Sequence, residues 1–367
     1  MDFSTGWEKD FEMHKKLYFE LFENTLTKKQ ETDVSFLEDS IKKLTGRKHV
    51  ILCASGTDAL HFSIRALEQF GLVKGCNVIV PDFSWISTAS SVAMANMVPV
   101  FCDVDLDSYH MSVDTVEEAI SKHKPDAIVF PHLFGNMSDT SDLESLCKDK
   151  DIFFIEDACQ AIGSKYQKKQ SGTAGIISTF SFNANKNIAG IAGGGAILTD
   201  EDDVANFCRK IVVHGKGDFL GYNSKMLLLN AKVIDFRLKS IVKWQFYRQT
   251  FANIYNQAFK NLPVHIQTDP NVDHGYHKYT VRFETKALRD AMKKITGCAV
   301  HYDKTLSAHE MWNRINHLKM PTPNAKQISD TIMTLPLHHY SNVQDITAFA
   351  DKFAFDLREA ILETYDK

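Results

Sequence analysis

Lys186 lies in FSFNANKNIAGIAGGGA (180–196), five residues after Ser181 and just before a glycine-rich run. A primary amine placed there can form a Schiff base or carry protons, and the glycines let backbone approach a ligand closely. A solvated loop lysine is the plain alternative. The run is not a dinucleotide fingerprint, because it precedes a strand-like segment instead of opening a helix after one. In IEDACQ (155–160), Asp157 ends a strand-like run, the position where open α/β sheets place ligands. Its carboxylate can hold a positively charged ring nitrogen, and Gln160 can reach the same ligand; Asp157 can equally cap the next turn. ASGTDAL (54–60) puts Gly56 and Thr57 where a strand runs into a helix, so free N–H groups and the helix dipole favour a phosphate there. Ser55 or Thr57 acting only as a cap is the alternative. PDFSWIST (81–88) offers Phe83 and Trp85 as rings that can stack on a flat ligand or pack in the core.

Together these residues supply an amine, a carboxylate, a phosphate cradle and a stacking ring. Those are the parts a pyridoxal-phosphate (PLP) site needs.

The elements that must position them alternate. VILCAS (50–55), NVIVP (77–81), VPVFCDV (98–104), AIVFPHL (127–133), IFFIEDA (152–158), STFSFN (178–183) and GAILT (195–199) read as short buried strands. Helical spacing at Leu60, Ile64 and Leu67, and helices near 113–122 and 139–149, separate several of them. That pattern predicts an α/β unit with a mainly parallel sheet covered on both faces. After Asp200 the spacing predicts a helix over 201–213 and a long helix, continuous or broken, over 224–261. Strands at 276–283 and 298–302 and helices near 285–295, 323–333 and 343–363 then make a smaller α+β unit. The expected division is 1–235 and 236–367, with the boundary inside or after the long helix.

Composition narrows the class. The chain has 367 residues, 44% hydrophobic and 24% charged, with a formal charge of −4, which argues against a general nucleic-acid binder. No run is long and apolar enough to read as a membrane span, and MDFSTGWEKDFEMHKK lacks the apolar stretch of a secretory signal. Seven scattered cysteines without a CxxC pair argue against a zinc site or disulfide framework and fit a reducing cytoplasm. No metal site is expected.

The sequence resembles the DegT/DnrJ/EryC1/StrS sugar aminotransferases, a branch of the type I PLP-dependent (aspartate aminotransferase) fold. The resemblance rests on SGTDAL, PDFSWIST, PVFCDVDLDSYHMSVD, IEDACQAIGS, SFNANKN and GYNSKM, in that order over roughly 36–340. It implies that Lys186 carries PLP as a Schiff base and moves protons. It implies that Asp157 pairs with the ring nitrogen and Gln160 lies by the phenolic oxygen. Trp85 would stack on the ring, and Gly56, Thr57 and Ser181 would bind the phosphate. Asn183 stands at the cofactor-side position that is histidine in the family pattern. Asn223 would reach the cofactor of a neighbouring subunit, which implies a homodimer with shared sites. Lysine at 186 favours transamination over the dehydration run by a sister branch that has histidine there. The implied reaction moves an amino group from an amino acid, L-glutamate in most of the family, to a keto-sugar. A nucleotide-linked 3- or 4-keto-6-deoxyhexose leads, with a keto-cyclitol, a keto-sugar acid or a non-catalytic regulatory paralogue as alternatives. Gly193 replaces a glutamate of the pattern and Lys225 an arginine. The first thirty residues match the family's entry segment poorly.

Overall fold

The computed structural model describes residues 6–27 and 33–365; parts of the poorly matching N-terminal stretch, 1–5 and 28–30, lie outside the described residues. The chain opens with α1 (Gly6–Thr27) and α2 (Ser35–Thr45). Then follow β1 (His49–Cys53), α3 (Gly56–Ala66), β2 (Asn77–Pro81), α4 (Ser87–Met94), β3 (Val98–Cys102), α5 (Val113–His123), β4 (Ala127–Pro131), α6 (Ser141–Asp149) and β5 (Phe153–Asp157). A two-residue pair, β6 (Lys165–Tyr166) and β7 (Lys169–Gln170), leads to β8 (Ile177–Ser181), β9 (Gly195–Thr199) and α7 (Asp202–Ile211).

The main sheet has the order β1-β9-β8-β5-β4-β2-β3, and an eighth strand described below extends it beyond β3. Every one of these strands is apolar on both sides of its pleat. In β1, Ile51 and Cys53 enter one core while Val50 and Leu52 enter the core on the other face. In β2, Val78 and Val80 face one way and Ile79 the other. Alternate side chains of a strand point to opposite faces, so apolarity at every position requires cover on both. Helix α3 contacts both α4 and α7, and all three pack on the sheet around one core.

Neighbouring strands run parallel with one exception: β9 is antiparallel to both β1 and β8. Hydrophobic pattern carries no direction, so the sequence could not show this. The reversal has a consequence for the site. It brings the start of β9, with Gly194 and Gly195, to the edge where β1, β5 and β8 end.

The rest of the chain forms α8 (Leu228–Leu238), α9 (Ile241–Phe259), β10 (Val264–Ile266), β11 (Val272–Asp273), β12 (Tyr279–Phe283), α10 (Lys286–Thr296), β13 (Leu318–Lys319), α11 (Pro323–Thr331), β14 (Ile332–Leu335) and α12 (Val343–Tyr365). A small sheet, β10-β12-β14, packs with α9 and α12 around Tyr255, Phe259, Phe283 and Phe353. The expected long helix starts four residues late and breaks at Lys239–Ser240. Residue 224 is held elsewhere: the Ser224 hydroxyl donates to Asp58 Oδ2 at 2.7 Å and accepts from Ala54 N at 3.1 Å.

The expected strand over 298–302 does not form. Only Ala299 bridges to Thr334. The chain then turns away, with His301 Nδ1 bonded to the Thr334 hydroxyl at 2.9 Å and Tyr302 packed among Phe83, Trp85 and Phe134. The segment beyond it returns to the large sheet, where β13 pairs parallel with β3, and Leu306 and Trp312 join its core. None of the described helices is long and apolar enough to cross a membrane.

Candidate active site

The carboxyl ends of β1, β4, β5 and β8 and the start of β9 surround a cleft of about 920 Å3, partly open to solvent. Its lining includes Gly56, Thr57, Trp85, Asp157, Gln160, Ser181, Asn183 and Lys186. These are all of the sequence-predicted site residues except Asn223. Asn223 is exposed and does not line the cleft of its own chain.

The β1–α3 junction is shaped for an anion. The Ser55 side chain accepts from Asp58 N at 3.0 Å, so capping and ligand binding are both served here. Gly56 and Thr57 remain without an intrahelical acceptor for their N–H groups. A Cβ at Gly56 would sit 2.6 Å from Ser181 Cβ and 2.8 Å from its hydroxyl. Only glycine lets α3 begin this close to the end of β8. Gly195 is equally tight, since a Cβ there would meet the Ser55 carbonyl at 2.2 Å. The Thr57 and Ser87 hydroxyls lie 2.8 Å apart, which adds a second polar group to the cradle.

Asp157 is buried at the end of β5, beside β8. Its Oδ2 accepts from the Thr88 hydroxyl at 2.9 Å and its Oδ1 from Cys159 N at 3.2 Å. Those bonds fix the carboxylate and leave lone pairs for a cationic N–H. Gln160 is held from both sides: its Oε1 accepts from Phe134 N at 2.9 Å, and its Nε2 donates to the Tyr302 hydroxyl at 3.3 Å. Trp85 is about half exposed and faces the cleft beside Tyr302, with ring centroids 5.8 Å apart.

Lys186 is presented by a turn in which its N–H donates to the Asn183 carbonyl at 2.9 Å. The next residue, Asn187, is buried and donates from Nδ2 to the Gly275 carbonyl at 2.6 Å, which locks the loop to the segment before β12. Burial holds the Lys186 amine below the ordinary lysine range, while nearby Cys159 and Asp157 pull the other way. Among the described residues its Nζ has no hydrogen-bond or ion-pair partner. A desolvated, unpaired amine is both a better nucleophile and a better base near neutral pH.

Among the further cleft residues not singled out from sequence are His132, Cys159, His277, Lys278, His301 and Tyr302. Burial, and Asp157 beside it, push the Cys159 thiol well above the usual value. His277 and Lys278 arrive because the Gly135 carbonyl accepts from Gly275 N at 3.0 Å and the Phe134 carbonyl from Lys278 N at 3.3 Å. Burial lowers His277 well below its normal value and His301 to about 4. The one visible signal was the lysine inside the otherwise strand-like YHKYTVRF.

A mainly parallel sheet that gathers a part-buried amine, a buried carboxylate and an anion cradle at its carboxyl edge defines a class, that of enzymes holding a phosphorylated aldehyde cofactor. The residues present fit PLP: the tight Gly56–Ser181 approach for its phosphate, Asp157 for its ring nitrogen and Lys186 for its aldehyde.

The chain belongs to the DegT/DnrJ/EryC1/StrS aminotransferase family, whose model matches residues 14–354. It is similar to a pleiotropic regulatory protein of Geobacillus stearothermophilus, at 32% identity over 83% of this chain and 84% of that one. It is 30% identical to the UDP-2-acetamido-2-deoxy-3-oxo-D-glucuronate aminotransferase of Pseudomonas aeruginosa, over 86% of this chain and 88% of the relative. The crystal structure of a DegT DnrJ EryC1 StrS aminotransferase from Brucella abortus superposes with a TM-score of 0.87 at 26% identity, covering 98% and 99% of the two chains. The fold is that of the type I PLP-dependent transferases, and the protein is a PLP-dependent aminotransferase.

Proposed function

We propose that the protein moves an amino group from an amino acid, L-glutamate, to a keto-sugar, with a nucleotide-linked 3- or 4-keto-6-deoxyhexose as the leading acceptor. Bound PLP supplies an electron-withdrawing ring that stabilises charge at the donor's α-carbon. Lys186, freed as an amine, would take the proton from that α-carbon and return it, as general acid, to the carbon that was the cofactor's aldehyde. Asp157 keeps the ring nitrogen protonated. Gln160, tied to Phe134 and Tyr302, orients the ring, and Trp85 covers one face. Gly56, Thr57 and Ser181 hold the phosphate, and Asn183 shapes the turn that presents Lys186. The two half-reactions share this one site, so the kinetics are ping-pong.

The observation that carries this reading is the unpaired Lys186 amine in the same cleft as fixed Asp157. The keto-sugar acceptor is supported by relatives named as a 3-oxo-glucuronate aminotransferase, a UDP-N-acetyl-3-dehydroglucosamine aminotransferase and a GDP-perosamine synthase. The product would feed an amino sugar for a surface polysaccharide or glycosylated product, made in the cytoplasm, which suits seven free cysteines. The relative named as a regulatory protein favours a second reading, a PLP-binding regulator without turnover; Lys186, Asp157 and Gln160 together speak against it. Amine transfer from glutamate to a panel of nucleotide-linked keto-sugars separates the two: turnover with none of them sinks the enzymatic reading.

The proposal includes a homodimer in which Asn223 serves the neighbour's cofactor. Exposed Leu220, Tyr222 and Leu227 beside Asn223 support an interface there. Lys186→Ala and Asn223→Ala subunits mixed together should regain one intact site per hybrid dimer; no recovery would refute the sharing. The division at about residue 235 is kept in this reading, with Leu306–Lys319 returning to the large sheet.

A further inference from the structure

PLP and a neutral acceptor leave one charge in the cleft unused. The phosphate takes the α3 N-terminus and its hydroxyls, the ring nitrogen takes Asp157, and the aldehyde takes Lys186. Lys278 has no assigned task. Its backbone is fixed to the Phe134 carbonyl at 3.3 Å, beside the Gln160 anchor, and its side chain lines the cleft while half-buried. Among the described residues its Nζ has no hydrogen-bond or ion-pair partner.

The groups around it do not neutralise it. Lys186 offers no negative charge, and the Arg248 guanidinium is cationic and directed to the Tyr276 and Leu337 carbonyls. His277 and His301 are held neutral by burial. The one carboxylate among the cleft-lining residues, Asp157, already accepts two hydrogen bonds and awaits the ring nitrogen. Burial, with Arg248 and Lys186 adding repulsion, pushes Lys278 down to about 8. At neutral pH the side chain is therefore still largely an ammonium, partly stripped of water and without a counter-ion. Such a group is costly unless an anion joins it. Gly193, across the cleft, brings no negative charge.

We infer that Lys278 is a specificity-determining residue that binds a substrate carboxylate inside the cleft. The inference rests on the aminotransferase reading above and deepens it. Two sources offer the same chemistry: a carboxylate of the amino donor, or the carboxylate of an acidic keto-sugar.

The test measures equilibrium binding to the PLP-loaded protein, without turnover. Succinate stands in for the donor's carboxylates. UDP-glucuronic acid and UDP-glucose form a pair that differs by one sugar carboxylate. Wild-type protein is compared with Lys278→Gln, with Lys278→Met, which keeps the stem, and with Lys278→Arg. Retained visible absorbance and melting temperature show that a variant is folded and loaded. Loss of a charge-assisted bond should weaken an acidic probe roughly ten- to hundredfold, leave UDP-glucose within about twofold, and be largely reversed by arginine. Weakened succinate alone points to the donor's carboxylate, and a lost preference for UDP-glucuronic acid over UDP-glucose points to the sugar's; either supports the inference. Unchanged binding of both acids in a loaded Gln or Met variant overturns it, as does wild-type protein that binds neither acid. A wild-type protein that binds the acids yet transfers no amine would sink the proposed function and leave this result standing.

Discussion

Gly56→Ala tests the anion cradle at its tightest point. The added Cβ would stand 2.6 Å from Ser181 Cβ and 3.3 Å from Cys159 Sγ. Carbon atoms in good contact are ~3.5–4.0 Å apart, so the end of β8 and the first turn of α3 must separate by roughly 1 Å. Ser181 cannot swing clear, because the clash is with its Cβ and the backbone of β8 is paired on both sides. Overpacking of this kind costs about 1–3 kcal/mol. The displacement falls on the residues assigned to the phosphate, so cofactor affinity should drop by about tenfold or more on top of the stability loss. Helical backbone at this position accepts alanine, which leaves the clash as the cause. The assay is a PLP titration of apo-protein followed by absorbance, with urea unfolding of the apo form alongside. A variant with wild-type stability and an unchanged PLP dissociation constant would refute the cradle.

Asp157→Asn keeps the shape of a buried side chain but loses the charge that holds a ring nitrogen protonated; single-turnover rates with glutamate should fall by about 10²-fold or more, with the protein still folded. Arg47 is buried and donates to the Gly172, Ala174 and Gly175 carbonyls and the Ser178 hydroxyl at 2.8–3.0 Å. Arg47→Met should lower stability by about 3 kcal/mol or more in urea unfolding, because it strands buried acceptors. In apo-protein, Lys278 at about 8 lies below its unfolded value of ~10.4, so between those pH values the unfolded chain binds more protons and stability rises with pH. Lys278→Met should be more stable than wild type at pH 7, and that advantage should shrink as pH passes 8; an advantage that grows with pH would contradict the burial argument.

Most of the strands that build the cleft were legible because they are apolar at successive positions and end in a small or polar residue; β8 keeps only Ile177 and Phe180 apolar. Asp157, Ser181 and Gly56 were legible for the same reason: each sits where such a run stops. Lys186 was legible mainly through its surroundings, since a loop lysine by itself says nothing. The reversed direction of β9 was not legible, and neither was β13, two residues whose pairing with β3 depends on distant packing. His277, Lys278, His301 and Tyr302 come from segments about 90 to 115 residues beyond Lys186; the first two reach the cleft through backbone contacts at Phe134 and Gly135, the last two through the Ala299 and His301 contacts with Thr334. Tyr302 shows why 298–302 misled: CAVHY, a short apolar run ending in an aromatic, reads as a strand, yet the tyrosine ring is drawn into the aromatic cluster instead.

The visible spectrum of the purified protein tests the central assignment most directly. Wild-type protein loaded with PLP should be yellow, and L-glutamate alone should bleach that band as the amino group passes to the cofactor. Lys186→Ala should lack the lysine-linked band and fail to cycle. A wild-type protein that takes up no PLP, or a Lys186→Ala variant that still transfers amine from glutamate, would contradict the role given to Lys186.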